Sequence, residues 1–220
     1  MTTYRGIKGL HIQKVSSDNA TVQLGDIWYN STLGKIRVGQ TQAGAWATSN
    51  NMTTARAEST GAGTQTAGIG MGGAILSGPT SALTETYDGS SWTEVADLTT
   101  ARDGAMSNIG TQTATFLCGG GPAAGQKDEV EQWNGASWTE IADLTTGRWA
   151  GGGSGTVTAA IIFGGGHPGS VIGENESWNG TSWTEIADMT RPAGKLWFAA
   201  AGDTSTAAIA FGGSPGNQSL

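Results

Sequence analysis

A tryptophan recurs at almost constant intervals along this sequence, and a block of neighbouring residues recurs with it. The periodic residues are Trp46, Trp92, Trp138 and Trp183, which are 46, 46 and 45 positions apart. The block reads YDGSSWTEVADL from position 87, WNGASWTEIADL from 133 and WNGTSWTEIADM from 178. Intervals of roughly 20–50 residues are typical of repeat proteins, in which each unit packs on its neighbours. The interval therefore restricts the fold more than any local motif does.

Within each unit, the spacing of glycines, apolar runs and turn residues predicts four short antiparallel strands. A first strand rich in Gly and Ala follows an arginine, and an apolar second strand ends in paired glycines. The second strands are predicted at Ala67–Met71, Ala114–Cys118, Ala159–Phe163 and Ala207–Phe211. A third strand ends at the first aromatic residue of each block, and a fourth begins at the periodic tryptophan. Between them, an Asp-Gly or Asn-Gly pair predicts a type I′ hairpin.

Four antiparallel strands in each unit of this length are typical of a β-propeller blade. The sequence therefore predicts an all-β fold, a propeller of about four units with the last one incomplete. The equal spacing of the tryptophans indicates equivalent packing positions between blades rather than platforms for sugars. Trp149 and Trp197 break the interval, so these two are the candidates for an exposed role.

Composition and charge exclude several classes of protein. The chain has 220 residues, of which 37 are glycine and 13% are charged, and its formal net charge is −7. Its 11 Lys and Arg are spread thinly, so we expect no binding to nucleic acid. No apolar run approaches the roughly 20 residues of a membrane-spanning helix, and the N-terminus lacks the apolar core of a signal peptide. We expect synthesis in a cytoplasm, no membrane insertion, and a buried apolar role for the single Cys118.

The order of these elements resembles the Kelch repeat family. The shared features are the paired glycines, a later aromatic residue followed by the tryptophan, and the tail W-x-x-x-x-x-(L/M)-x-x-x-R. That tail ends here at Arg56, Arg102 and Arg148. The resemblance covers residues 45–220, although the fourth unit has Gly194 where the arginine is expected.

A closer resemblance is to the Kelch-like repeats of tail-fibre and other appendage proteins of marine bacteriophages. These share the phrases N-G-x-S-W-T-E-x-A-D-L and G-T-Q-T-A, and a leader of the type found at positions 25–35, GDIWYNSTLGK. The resemblance implies a virion protein assembled in the host cytoplasm, with residues 1–44 as an attachment segment and 45–220 as the propeller. It also implies attachment to other virion proteins through Ile27, Trp28 and Tyr29, and a homo-oligomeric state within the particle.

The repeat interval does not determine how the predicted propeller ring closes. After Gly212-Gly213 the next aromatic residue is expected beyond Leu220. The natural chain continues, or a neighbouring subunit completes the last blade, or residues 35–46 supply the missing strands through Ile36-Arg37-Val38. We favour continuation or a neighbouring subunit over a self-closed ring of four blades.

Several patterns in the sequence suggest a chemical site, but a structural role explains each of them. Arg56, Arg102 and Arg148 suggest the arginine triad of sialidases, but their equal spacing favours salt bridges repeated in each unit. The turn at Asp88-Gly89 partly resembles the sialidase Asp-box, and a hairpin explains it without a ligand. His11 and His167 have no second ligand at metal spacing. The repeated Glu94, Glu140 and Glu185, with Asp97, Asp143 and Asp188, are interpreted as edge charges that oppose aggregation. We therefore expect no catalytic residues, no metal and no cofactor.

The loops that follow the glycine pairs do not repeat, and recognition usually resides in such loops. They span Ser77 to Leu83, Pro122 to Asp128, His167 to Glu174 and Ser214 to Leu220. The candidate contact residues are Ser77, Pro79, Thr80, Gln126, Lys127, Asp128, His167, Pro168, Trp149 and Trp197. The expected function is non-enzymatic display of these loops to a host-surface glycan or protein. Two alternatives stay open: a sialidase-like enzyme acting on glycans, and a bacterial surface adhesin or scaffold.

Overall fold

The structure is a computed structural model that describes residues 13–16, 27–38, 49–75, 78–121, 125–167, 170–189, 196 and 199–213. These residues form strands, turns and extended segments, and none of them lies in a helix, so the protein is all-β. It follows that the described residues contain no helix long and apolar enough to cross a membrane. The chain divides into two compact units, Met1–Thr48 and Ser49–Leu220.

The described strands are short, as expected for small antiparallel sheets. In chain order they are β1 (Gln13–Val15), β2 (Ile27–Asn30), β3 (Lys35–Val38), β4 (Arg56–Ala57), β5 (Thr60–Thr64), β6 (Ala67–Met71), β7 (Ala74–Ile75), β8 (Thr84–Tyr87), β9 (Trp92–Glu94), β10 (Gly110–Thr111), β11 (Ala114–Cys118), β12 (Val130–Trp133), β13 (Trp138–Ile141), β14 (Gly152–Thr156), β15 (Ala159–Phe163), β16 (Gly166–His167), β17 (Ser170–Val171), β18 (Asn175–Trp178), β19 (Trp183–Ile186), β20 (Ala199–Thr204) and β21 (Ala207–Phe211).

The second compact unit contains three antiparallel sheets of four strands, one for each complete repeat. The first sheet has the order β5-β6-β8-β9, the second β10-β11-β12-β13 and the third β14-β15-β18-β19. Strands β20 and β21 form a two-stranded sheet that corresponds to the first half of a fourth repeat. All four second strands, and the starts of the fourth strands at the periodic tryptophans, agree with the sequence prediction.

The hairpin that joins the third and fourth strands differs from the prediction in its turn. A type I′ turn needs positive φ at both central residues. Gly89 has φ +92°, whereas Asp88 is not in the left-handed region, so the predicted turn type is wrong. The carboxylate of Asp88 instead accepts hydrogen bonds from the amides of Ser90 and Ser91, at 2.8 and 2.7 Å. The same arrangement recurs at Asn134-Gly135 and Asn179-Gly180.

Adjacent sheets pack face to face through the periodic aromatic residues. The cluster between the first and second sheets contains Ile69, Met71, Leu98, Leu117, Trp133 and Trp138. The cluster between the second and third contains Met106, Ile109, Phe116, Cys118, Val130, Leu144, Ala160, Ile162, Trp178 and Trp183. The predicted packing role is confirmed for Trp138 and Trp183, which are 7% and 6% exposed. Trp46 lies outside the described residues.

The first compact unit contains a three-stranded sheet of order β1-β2-β3. Strand β1 is parallel to β2, and β2 is antiparallel to β3. The turn between β2 and β3 is closed by Asn30, whose side-chain oxygen accepts hydrogen bonds from the amides of Thr32 and Leu33 at 3.1 and 3.0 Å. Residues Ile36-Arg37-Val38, proposed above as strands of the last repeat, belong to β3 and pair with β2.

Candidate functional site

The non-repeating loops that follow the glycine pairs lie at one end of the three sheets. Each loop joins a second strand to a third, so antiparallel pairing places it at the same end as the segment that leads into the next sheet. Backbone hydrogen bonds hold the two together: Arg102 N donates to Ser81 O, and Arg148 N donates to Lys127 O, both at 3.2 Å. We call this the loop end, comprising residues 74–83, 121–129 and 166–174 and the arginine segments at 56–58, 102–106 and 148–151, where described.

The loop end is built on buried ion pairs that repeat from sheet to sheet. Each arginine precedes a sheet and pairs with a glutamate on the third strand of that sheet. The Nη2–Oε1 distances are 3.0 Å for Arg56–Glu85, 2.6 Å for Arg102–Glu131 and 2.6 Å for Arg148–Glu176. The side chains are at most 1% exposed. The predicted salt-bridging role is confirmed, and because each arginine is buried with its own glutamate, the three do not converge on one anion.

The guanidinium of Arg102 makes most of its hydrogen bonds with the sheet that follows Arg102 in the chain. Its Nη1 donates to Gly119 O and Glu129 O at 3.2 and 2.9 Å, and its Nε donates to Thr100 O at 3.4 Å. The carboxylate of Glu131 also accepts the amide of Thr99 at 2.7 Å. A buried charge is tolerated when its remaining hydrogen-bonding positions are filled in this way. Arg148 repeats the pattern with Thr146, Gly164, Glu174 and Glu176.

Arg56 departs from this pattern. Its Nη2 donates to Glu85, but its Nε and Nη1 are buried and have no hydrogen-bond partner within the described part of the chain. Arg56 lies in β4, which pairs with β7 so that Arg56 stands opposite Ile75.

In the first two glycine pairs, the second glycine donates a backbone hydrogen bond to the carbonyl of the next arginine. Gly73 N donates to Arg102 O, and Gly120 N donates to Arg148 O, both at 2.9 Å. At Gly72 (φ +58°) a Cβ atom would lie 2.6 Å from Arg102 O, closer than real Cβ atoms approach backbone. Arg102 and Arg148 therefore each join the preceding sheet through the carbonyl and the following sheet through the guanidinium. This double attachment explains why the glycine pair and the arginine repeat together.

The first loop is held against the arginine segment by a short ladder of β4 and β7. Ile75 N donates to Pro79 O at 3.2 Å, and Thr80 forms an isolated bridge with Ala74. Pro79 is exposed and Thr80 is half-buried, so both of these candidate residues lie at the surface of the loop end. Ser77 lies outside the described residues.

The second loop presents Gln126, Lys127 and Asp128, of which Asp128 is exposed and the other two are half-buried. Lys127 Nζ lies 3.3 Å from Glu129 Oε1. Partial burial on its own raises the pKa of Glu129, but its own backbone amide and Lys127 outweigh burial and hold that pKa below its usual range. The carbonyl of Asp128 accepts the amide of Leu144 at 2.9 Å, which anchors the loop to the core.

The third loop brings two candidate residues together. Strands β16 and β17 form a small hairpin, and the backbone of Trp149 bonds to that of Gly166 in both directions, at 3.1 and 2.7 Å. The indole lies over the same glycine, because a Cβ atom at Gly166 would be 2.5 Å from Trp149 Nε1. His167 follows Gly166 and is exposed, while Trp149 is half-buried. Pro168 and Trp197 lie outside the described residues.

The candidate attachment residues lie on β2 in the first compact unit. Ile27 is 38% exposed, Trp28 is 4% exposed and Tyr29 is half-buried. Of the three, Ile27 therefore has the side chain most accessible to another protein. The burial of Trp28 indicates a role in the small sheet itself.

The remaining acidic residues behave as surface charges. The six carboxylates Glu94, Glu140, Glu185, Asp97, Asp143 and Asp188 are all exposed, as the edge-charge interpretation requires. Within the described ranges, no group of three or more His, Cys, Asp or Glu side chains is placed to hold a metal ion. Cys118 is fully buried, and desolvation raises the pKa of its thiol far above the usual range.

Asn108 lies where the first strands of the units approach one another. Its backbone amide donates to Gly61 O at 3.1 Å, and its Nδ2 lies 3.3 Å from Ala200 O and 3.5 Å from Gly153 O. Those three residues occupy equivalent positions in their first strands, as the pairing of each hairpin shows. Asn108 has φ +74°, a conformation that asparagine adopts more readily than most residues. Asn108 thus links the first strands of the other three units, one through its backbone amide and two through its side chain.

No protein-family model matches this sequence, and no curated protein matches it.

Sequence reasoning missed the glutamate of the buried ion pair. Glu85, Glu131 and Glu176 each stand two positions before the aromatic residue that ends the third strand, so the signal was present. It was hidden because a second glutamate recurs just as regularly on the fourth strand. Asn108 was missed for the opposite reason, since it occurs in one unit only and no periodicity reveals it.

Proposed function

We propose that this chain is a non-enzymatic structural protein of a bacteriophage virion, a tail fibre or surface appendage that presents a rigid face for recognition. The observation that carries the proposal is a contrast within the loop end. Its interior repeats the same arginine, glutamate and glycine contacts in successive sheets. Its surface has a two-residue ladder in the first loop, an irregular second loop and a small hairpin in the third.

Such a contrast is typical of binding scaffolds, in which an invariant frame supports variable loops. A frame with paired buried charges and tightly packed indoles holds loops of different sequence in one position. The described candidate residues of the three loops, Pro79, Thr80, Gln126, Lys127, Asp128 and His167, then contribute to a single surface for a host-surface glycan or protein. The exposed Asp128 and His167 and the half-buried Trp149 supply the polar and aromatic groups that such a surface uses.

For the fold, we propose a Kelch-like β-propeller in which the sheets are blades. The stacked sheets, the indoles between them and the convergence of the first strands on Asn108 support this arrangement. The fourth blade has its first two strands, β20 and β21, among the described residues. Its outer strands would come from a continuation of the chain, a neighbouring subunit or residues 35–46.

Two experiments test the proposal. The first is immunogold electron microscopy of phage particles with antibodies against the purified chain, which we expect to label a fibre or appendage. The second is binding of the fluorescently labelled full chain to bacterial cells, compared between two variants. We expect a triple change of Gln126, Lys127 and Asp128 to Ala to reduce binding. A control double change of Ser90 and Thr181 to Ala, in the exposed hairpins of the opposite end, should not.

Unlabelled particles together with equal binding by both variants would contradict the proposal. A bacterial adhesin uses the same face, so labelling of the bacterial surface in place of phage particles would favour that alternative. Hydrolysis of a sialoglycan panel by the purified chain would favour the enzyme. The burial of each arginine with its own glutamate gives the enzyme no anion-binding triad within the described residues.

A further inference from the structure

Two hairpin loops at the end opposite the loop end have the geometry of a self-modifying site. They are residues 134–137 and 179–182, all of which are exposed. In the first, Asn134 Oδ1 accepts hydrogen bonds from the amides of Ala136 and Ser137, both at 2.9 Å, and Asn134 Nδ2 lies 3.3 Å from Ser137 Oγ. In the second, Asn179 has the same contacts with Thr181 and Ser182, at 2.9, 3.0 and 3.3 Å.

From this geometry we propose that Asn134 and Asn179 deamidate spontaneously in the folded protein. The backbone nitrogen of the following glycine attacks the side-chain Cγ and loses its proton to water. The C–N bond to the side-chain nitrogen breaks, and that nitrogen leaves as ammonia after taking up a proton. The product is a five-membered succinimide, which water opens to aspartate or isoaspartate. No oxidant, reductant or enzyme takes part.

Three features of the loop favour each part of this step. The nucleophile is unhindered, because Gly135 has no side chain and its amide makes no hydrogen bond within the described part of the chain. The carbonyl is polarised, because two backbone amides point at Oδ1, the atom that carries the negative charge of the tetrahedral intermediate. The leaving nitrogen lies beside the hydroxyl of Ser137, which can relay a proton to it.

Two other described asparagines, Asn108 and Asn175, offer comparisons within the same chain. Asn108 is followed by the β-branched Ile109, whose side chain hinders attack by the backbone nitrogen. Asn175 is buried on β18, and its Nδ2 donates to Ala187 O at 2.7 Å. We therefore expect Asn134 and Asn179 to react first and Asn108 and Asn175 to keep their amides.

The first sheet already contains the product of this reaction at the equivalent position. Asp88 makes the same two bonds to backbone amides, at 2.8 and 2.7 Å, and its hairpin has the same pairing as the other two. Conversion to aspartate is therefore compatible with the fold and makes the chain more negative. Conversion to isoaspartate inserts a methylene into the backbone, which disturbs the pairing of Trp133 with Trp138.

The test is peptide mapping by mass spectrometry of the full chain after incubation in neutral and mildly alkaline buffer. Water enriched in heavy oxygen labels each opened succinimide, and electron-transfer fragmentation separates isoaspartate from aspartate. We expect conversion at Asn134 and Asn179 ahead of Asn108 and Asn175. Gly135→Ala should slow reaction at Asn134 severalfold while leaving Asn179 unchanged, so the second hairpin serves as an internal control for folding.

A parallel incubation in urea decides whether the folded loop permits the reaction. If the folded hairpins keep both amides intact while the unfolded chain converts them, the hydrogen bonds protect the asparagines and the proposal is overturned. Equal rates in Gly135→Ala and the unchanged chain would also overturn it. Ser137→Ala tests the proton relay, for which a slower reaction at Asn134 alone is the expected result.

Discussion

Arg148 Nη2 lies 2.6 Å from Glu176 Oε1, and neither side chain is exposed to solvent. The same relationship joins Arg102 to Glu131 one sheet earlier. Burying two charges costs free energy that a surface pair does not, and here the cost is offset by carbonyl and amide partners on every side. The pair is therefore expected to fix the position of each sheet, and removing one partner should be far more harmful than removing a surface charge.

Changing Glu131 to Gln should destabilise the protein by about 3–5 kcal/mol, because it leaves the Arg102 guanidinium buried without a counter-charge. Urea denaturation followed by tryptophan fluorescence measures this loss. The control is Glu140→Gln on the neighbouring strand, where the side chain is exposed and the expected change lies within about 0.5 kcal/mol. Equal stabilities of the two variants would show that the pair does not constrain the fold.

The indole nitrogens of two equivalent tryptophans, Trp138 and Trp183, should contribute differently to the free energy of unfolding. Trp138 Nε1 donates to Thr84 Oγ1 at 3.0 Å, whereas Trp183 Nε1 is buried without a hydrogen-bond partner among the described residues. The reason is that Val130 occupies, in the second sheet, the position that Thr84 has in the first. Trp138→Phe should therefore cost about 1 kcal/mol more than Trp183→Phe in urea denaturation. A larger loss at Trp183 would contradict this account.

Cys118 should resist thiol reagents in the folded protein and react when the fold opens. It is fully buried, and desolvation raises the pKa of its thiol, so the reactive thiolate is not formed near neutral pH. Labelling with a chromogenic disulfide reagent in increasing urea should follow the same transition as tryptophan fluorescence. Labelling that precedes the fluorescence change would indicate separate opening of the second sheet.

Because of Asp88, the stability of the first hairpin should depend on pH in the acid range, whereas the stability of the two asparagine hairpins should not. The amides of Ser91 and Ser90 lower the pKa of Asp88 below the ordinary aspartate value of about 3.9. A carboxylate with a lowered folded-state pKa stabilises the fold above its unfolded-state value, and the effect is lost as pH falls through the folded-state value. NMR titration of the Asp88 carboxyl carbon should therefore show a midpoint below about 3.9. Asp88→Asn, which copies Asn134, should remove this part of the acid sensitivity.

The apolar face of β21 provides a test of the incomplete last sheet. Phe211 is 46% exposed and Ile209 is 60% exposed, whereas Phe163, the counterpart of Phe211 on β15, is 5% exposed. Phe163→Ala should cost about 3–5 kcal/mol by leaving a cavity, and Phe211→Ala should cost much less. Urea denaturation measures both. Equal costs would mean that Phe211 is covered in solution, and sizing chromatography would then show whether a second copy covers it.

The sequence predicted the second strands and the starts of the fourth strands because glycine pairs and tryptophans mark these ends in the repeats. The type I′ prediction at Asp88-Gly89 failed because a two-residue turn and a four-residue loop both use a glycine with positive φ. The role of Glu131 was missed because periodicity reports that a residue recurs and does not report burial. The contact of Asn108 with Ala200 depends on how distant units approach one another, which no local pattern records.

Arg102 and Arg148 each use the carbonyl for the preceding sheet and the guanidinium for the following sheet, with the same types of partner at both junctions. A junction made only of such common parts is the same wherever it occurs. Whole units can therefore be duplicated, deleted or exchanged by recombination between repeats without redesign of the joint. The loop sequences at the surface can then diversify while the arginine, glutamate and glycine contacts between the sheets stay the same.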